Sequence, residues 1–205
     1  MRKIITASII MALFAIAANA NITTGNTETA TQYFNVGNPI KFEGTDYYFA
    51  WSSRPYDFYM LQEYLPEGET FEHYNQMFTA SVMFVGDAPM KADKAVELKI
   101  AELEEVKKTD PMCNYLAYEN NGDYLLDFIV SKSDDKGKLE FVEVDIHYYR
   151  DIEINGIKAV YLLFYSCRAY GDDIKPFLKS LPDKRDKWYE DITSLKIMPE
   201  FKFKK

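Results

Sequence analysis

The chain has 205 residues, with 24 Lys and Arg against 32 Asp and Glu, 47% apolar residues and two Cys. This composition excludes fibrous, collagen-like and disulfide-dense proteins and predicts a soluble globular domain. The formal net charge is −8, and no basic stripe precedes the extreme C-terminus. Nucleic acid is therefore not expected as a partner, because little positive charge is available to neutralise phosphates.

The first twenty residues have the pattern of a secretory signal peptide. Met1-Arg2-Lys3 is basic, residues 4–17 are mostly apolar, and Ala18-Asn19-Ala20 is the small-x-small pattern that signal peptidase accepts. The apolar run is too short to span a bilayer comfortably, and no Cys follows it for lipid attachment. We predict a soluble, periplasmic or extracellular protein that is not a lipoprotein. A flexible leader covers residues 21–32, and a single domain covers residues 33–205.

The first half of that domain is predicted to be mainly β-structure. Strands over residues 39–42, 47–52 and 56–65 are separated by turn sequences and form a meander. Thr70 is a candidate N-cap for a short helix that ends at Gln76. Residues 78–84 alternate apolar and polar side chains and form the next strand.

A long amphipathic helix is predicted to follow that strand. Its apolar stripe recurs every three or four residues and should cover one sheet face: Ala92, Val96, Ile100, Leu103 and Val106.

The second half is predicted to be another antiparallel set. Strands are expected over residues 115–118, 124–131, 139–150 and 157–170, with Asn and Gly turn sequences between them. The last strand is apolar on both faces, which favours a central position. A final helix begins at Asp172, is broken at Pro182 and resumes through Trp188. Hairpins without repeated βαβ units predict an α+β fold, a mostly antiparallel sheet flanked by helices.

One stretch resembles a known pattern. Gln62-Glu63-Tyr64-Leu65-Pro66-Glu67-Gly68-Glu69-Thr70, then Tyr74 and Met77, resembles a strand–turn–helix pattern of small uncharacterised secreted bacterial proteins. That pattern reads E-aromatic-V/L-P-x-G-E-S/T, then usually Trp, then Met, and Tyr74 stands where Trp is usual. Those proteins are similar to the PsbP-like fold, whose better-known members are protein-binding accessory factors. The resemblance covers residues 59–77, implies a PsbP-like sandwich and carries over no functional residue.

Three acidic or basic residues alternate along one predicted strand. Glu143, Asp145 and His147 share one face, opposite an apolar face. Carboxylates and an imidazole could form a weak metal site or an acid–base pair. The leading interpretation is a solvated polar face, because antiparallel sheets commonly expose one face and strand spacing spreads the three groups.

The first meander is unusually aromatic, and an exposed aromatic row can stack on sugars or anchor a protein partner. The candidate binding residues are Tyr47, Trp51, Tyr59 and Tyr64. The alternative is that these rings fill the core on one face and favour the strand conformation on the other.

The two cysteines leave two possibilities open. Cys113 and Cys167 could form a disulfide in an oxidising compartment, or could be separate buried thiols.

Catalytic and cofactor motifs are missing from the sequence. There is no Gly-x-Ser-x-Gly elbow and no Gly-rich phosphate loop, so no nucleotide cofactor is predicted. We favour an exported, non-enzymatic binding or accessory module with a protein or glycan partner. The alternatives are a small hydrolase or metal-assisted enzyme that uses the Glu143 strand face, and an envelope protein that self-associates through sheet edges.

Overall fold

The computed structural model describes residues 31–201. The predicted signal peptide at residues 1–20 and residues 21–30 of the predicted leader lie outside the described residues, as do residues 202–205. The described part contains an eight-stranded sheet and two α-helices.

The strands and helices have the following bounds. The strands are β1 (Ile40–Phe42), β2 (Thr45–Tyr56), β3 (Tyr59–Pro66), β4 (Gln76–Phe84), β5 (Asn114–Asn120), β6 (Asp123–Ser133), β7 (Leu139–Ile154) and β8 (Ile157–Tyr170). Helix α1 (Ala92–Val106) connects β4 to β5, and helix α2 (Ile174–Ser194) follows β8. The strand order is β1-β2-β3-β4-β8-β7-β6-β5.

Two meanders, β1 to β4 and β5 to β8, join side by side along β4 and β8. Every neighbouring pair of strands is antiparallel. Asn121 and Gly122 both have positive φ, 54° and 84°, in the turn between β5 and β6. An Asn-Gly pair favours that backbone, so this predicted turn is confirmed. The predicted α+β class and the central position of β8 are also confirmed, since β8 lies between β4 and β7.

Each face of the sheet is covered by one helix, which we name the α1 face and the α2 face. Side chains alternate between faces along a strand, so Val160 and Leu162 of β8 join α1 in one core, while Tyr161 and Leu163 join α2 in the other. Burial of both faces explains why β8 is apolar on both sides.

Helix α1 is held over β7 at its start. Lys91 at the N-cap makes no side-chain capping bond. The backbone N–H of Ala92 instead donates to Oδ1 of Asp151 on β7, at 2.8 Å. A carboxylate at a helix N-terminus satisfies an unpaired N–H and complements the helix dipole. This contact fixes one end of α1 against the sheet.

The short helix predicted from Thr70 to Gln76 is wrong, because the segment is an irregular loop. The Glu69 carboxylate accepts backbone N–H bonds from Asn75 at 2.9 Å and from Gln76 at 3.1 Å. Thr70 and His73 also bond each other's backbone. These local bonds satisfy groups that a helix would have paired along its own axis.

The predicted helix break at Pro182 is also wrong. Helix α2 runs through Pro182, although a proline removes one intrahelical hydrogen bond. Buried residues on both sides of the proline, Leu181 and Trp188 among them, pack against the α2 face. Tertiary packing of this stripe outweighs the local cost of the proline.

Cys113 and Cys167 are not bonded to each other. Both thiols are buried and free. Cys113 lies in the core of the α1 face, and Cys167 lies in the core of the α2 face. The sheet separates them, so the second of the two possibilities, separate buried thiols, describes the molecule.

Among residues 31–201, neither helix combines the length and apolar character needed to cross a membrane.

Candidate functional site

A cavity of about 480 Å³ lies between α1 and the sheet. We name it the α1-side cavity. Its apolar and aromatic wall consists of Trp51, Tyr59, Leu61, Phe71, Tyr74, Met77, Leu103, Val106, Phe128, Val130, Phe141, Leu162 and Phe164. A smaller set of polar side chains converges on it: Glu63, Thr79, Lys99, Glu102, Ser131, Lys132, Glu143, Asp145, His147, Ser166 and Arg168. Mostly apolar walls with a few placed polar groups are typical of small-molecule sites of this size.

The three polar residues of β7 lie on the wall of this cavity. Glu143, Asp145 and His147 share the α1 face, as their alternation predicts. The interpretation of this face as solvated is wrong, because the three residues are 8%, 6% and 6% exposed. Helix α1 covers the face, and a buried polar group requires a partner or a change of protonation.

Glu143 is held by Arg168 and Tyr74. Glu143 and Arg168 are register partners on β7 and β8, and Nε of Arg168 donates to Oε2 of Glu143 at 2.7 Å. The Tyr74 hydroxyl donates to the same carboxylate at 2.7 Å. The guanidinium also stacks on the rings of Tyr74 and Phe141, at 4.2 and 4.1 Å. Oε2 of this carboxylate therefore accepts two hydrogen bonds, one of them charge-assisted, that link β7 to β8 and to the loop before β4.

Asp145 and His147 are forced towards their neutral forms. Burial, together with the nearby charge of Glu143, raises the pKa of Asp145 well above its usual range. The Ser166 hydroxyl donates to this carboxyl across the β7–β8 pair. Burial, with a smaller contribution from Lys99, lowers the pKa of His147 well below its usual range.

The His147 ring is fixed on three sides. Its Nδ1 lies 2.9 Å from the Tyr149 hydroxyl. The ring centroids of Phe164 and Phe128 are 4.4 and 4.8 Å away. These contacts hold a neutral imidazole against the cavity wall.

Glu63 is the least satisfied ionisable group of the cavity. It is 4% exposed, and no described side chain or backbone group donates a hydrogen bond to its carboxyl. Burial raises its pKa to about 7. Its register partner Thr79 is 1% exposed, and the Thr79 hydroxyl has no hydrogen-bond partner among residues 31–201. Two unpaired polar groups therefore lie next to each other on the cavity wall.

The cations of the cavity are already paired. Lys99 projects from α1, donates to Glu102 at 3.0 Å and lies 5.1 Å from the Phe128 ring centroid. Lys132 pairs with Glu140 at 2.9 Å. With Arg168 on Glu143, each described Lys and Arg of the cavity has an acidic partner.

The metal hypothesis for Glu143, Asp145 and His147 finds no support in the geometry. Within residues 31–201 there is no group of three or more His, Cys, Asp or Glu side chains arranged to hold a metal ion. Alternate strand positions are roughly 6.6 Å apart, and the neighbouring strands supply Ser166 and Arg168 instead of further ligands.

The predicted aromatic surface is mostly interior. Tyr47 and Tyr64 are fully buried and lie in the α2-face core. Tyr59 is 5% exposed and Trp51 is half-buried, and both line the α1-side cavity. An exposed aromatic binding row is therefore wrong for these residues, because strand alternation sends them into two covered faces. Tyr48, the neighbour of Tyr47 on β2, is exposed.

Sequence reasoning missed Glu63, Thr79, Ser166 and Arg168 as site residues. A usable signal was present, because Glu63 follows Tyr59 and Leu61 at alternate positions of one strand. A charged residue whose side chain points to the same face as a row of buried apolar residues indicates either the edge of the buried area or a polar site that another element covers. The missing information was that this row lies on the same sheet face as α1 and lines the cavity there.

No curated protein matches the chain. A family model matches residues 34–197, a range that contains all eight strands and both helices, and the protein therefore belongs to that family.

Proposed function

We propose that the protein is an exported, non-enzymatic binding module that holds a small molecule in the α1-side cavity. The observation that carries the proposal is a cavity of about 480 Å³ with a mostly apolar wall, in which, within residues 31–201, the Glu63 carboxyl accepts no hydrogen bond and the Thr79 hydroxyl has no partner. A buried polar group without a partner is costly, and a ligand could remove that cost.

The remaining polar residues favour binding over catalysis. Ser166 donates to Asp145, and His147 contacts Tyr149, so the serine and the histidine do not form a nucleophile–base pair. Export rests on the signal-peptide pattern of residues 1–20. We also propose that the sheet and its flanking helices form a PsbP-like sandwich, on the resemblance of residues 59–77 and on the antiparallel architecture. An accessory role would agree with that resemblance.

Nile red, an uncharged apolar dye, tests whether the cavity takes small molecules. We expect saturable fluorescence enhancement at one dye per chain. Val130→Trp should abolish it, because Val130 is half-buried and a larger ring there would occupy the cavity. Leu116→Trp is the matched control, since Leu116 is 49% exposed on β5 and does not line the cavity.

The proposal fails if the dye shows no saturable binding. It also fails if Val130→Trp, folded by circular dichroism, binds the dye as well as the Leu116→Trp control does.

A further inference from the structure

The charge balance of the α1-side cavity leaves acidic groups without cationic partners. Arg168 pairs with Glu143, and Lys99 pairs with Glu102. Neither Glu63 nor Asp145 forms a salt bridge within residues 31–201, and of these two only Asp145 accepts a side-chain hydrogen bond. The unmet electrostatic demand of the cavity is therefore for positive charge, and it is concentrated at Glu63.

The surroundings of Glu63 suit an organic cation. Trp51 and Thr79 are its register partners on β2 and β4, so their side chains flank the carboxyl on the same face. Phe71 lies against Trp51, with ring centroids 6.4 Å apart in a T-shaped arrangement. Aromatic rings attract ammonium groups through their π-faces, and the Thr79 hydroxyl can accept a hydrogen bond from an N–H donor.

We propose that the α1-side cavity binds an organic ammonium compound, with its cationic group against Glu63 and Thr79 and its apolar body along the wall formed by Leu61, Phe128 and Leu162. This inference rests on the proposed binding function. A metal ion would require several oxygen ligands around it, whereas an ammonium group requires one counter-ion, one or two acceptors and aromatic faces. The mostly apolar wall also requires a ligand with an apolar body.

Three probes of the same size separate charge from shape. Phenethylamine is cationic, 2-phenylethanol is neutral and phenylacetate is anionic, and each can be titrated against bound Nile red at pH 8. We expect phenethylamine to bind about tenfold or more tightly than 2-phenylethanol, because a charge-assisted hydrogen bond to a buried carboxylate is worth at least that factor. Phenylacetate should bind most weakly.

Glu63→Gln keeps the shape of the side chain and removes its charge. We expect this variant to lose the preference for the amine and to keep 2-phenylethanol binding. Glu67→Gln is the matched control, since Glu67 is exposed in the turn after β3, and it should retain the preference.

The outcomes separate the two proposals. If Nile red binds but phenethylamine displaces it no better than 2-phenylethanol does, the cation assignment is overturned and the binding function stands. An amine preference that survives Glu63→Gln also overturns the assignment. If neither Nile red nor any of the three probes binds, the binding function itself fails.

Discussion

Replacing Glu63 with Gln should stabilise the protein at neutral and alkaline pH. Glu63 is 4% exposed, and burial raises the pKa of its carboxyl from 4.5 to about 7. In the unfolded chain the same group is in water and releases its proton near pH 4.5. Gln has the same shape and no charge, so the variant removes the cost of burying the ionised form.

The direction and size of this change in stability follow from the difference in proton binding between the folded and unfolded chain. Between about pH 4.5 and pH 7 the folded chain holds a proton that the unfolded chain has released, so the free energy of unfolding falls as the pH rises. Below that window Glu63 contributes no cost. Above pH 7 the full cost of burying the ionised carboxylate lowers the free energy of unfolding. That cost is about 3 kcal/mol, because each tenfold change in proton affinity corresponds to about 1.4 kcal/mol. Glu63→Gln should then raise Tm by on the order of 10 °C at pH 8.

Urea denaturation of both proteins at pH 4 and pH 8 measures this effect. Comparing wild type with Glu63→Gln cancels the contributions of Asp127 and Asp145, which also have raised pKa values. Glu67→Gln removes a charge from an exposed position and should change stability by less than about 0.5 kcal/mol at either pH. A difference between wild type and Glu63→Gln that is the same at both pH values would refute the reasoning, because it would mean that the Glu63 carboxyl is solvated.

Three further predictions concern the same cavity and the two cysteines. Arg168→Met should lower the free energy of unfolding by about 3 kcal/mol, since it leaves the Glu143 carboxylate buried without its cation, and adding Glu143→Gln should restore part of the loss. An equal loss in the single and double variants would contradict a role in pairing charge. Thr79→Val should be neutral or stabilising by up to about 1 kcal/mol in urea denaturation, because the buried hydroxyl has no partner to lose among the residues that the structure describes. A clear destabilisation would contradict this expectation. Cys113 and Cys167 should react with a thiol reagent only after denaturation, because both are buried and burial raises the pKa of Cys167 to about 11. Intact mass spectrometry without reductant should find two free thiols, and a mass lower by two hydrogen atoms, the signature of a disulfide, would contradict the structure.

The fold was largely predictable because its signals are local. Turn residues such as Asn121 and Gly122 and the apolar stripe of α1 depend only on neighbours in the chain. The two wrong predictions about the fold, the helix break at Pro182 and the helix over residues 70–76, have a common cause. Pro182 lies in a helix that packing maintains, and residues 70–76 form a loop that the Glu69 carboxylate organises. Both outcomes depend on contacts that a local pattern does not contain.

The site was predictable only in part. The shared face of Glu143, Asp145 and His147 follows from strand alternation, but its burial depends on where α1 crosses the sheet. The polar character of these three residues alone predicts that their face is exposed to solvent. In the structure, Arg168 and Ser166 on β8 instead pair with Glu143 and Asp145. Glu63 is on β3, four strands away from β6 in the sheet order. No spacing in the sequence predicts that it shares a cavity with Phe128 and Val130 of β6.

The join between β4 and β8 has a consequence for how the chain assembles. All other strand pairs join strands that are consecutive in the chain. Strands β4 and β8 pair as well, for example Ala80 with Leu163, although α1 and strands β5 to β7 lie between them in the chain. Closing that large loop is the costly long-range step in an otherwise local topology. Cleavage between α1 and β5 would turn this closure into an association of two separate four-stranded meanders. The recovery of native structure would then depend on fragment concentration, and the β4–β8 edges would be the surfaces through which the fragments recognise each other.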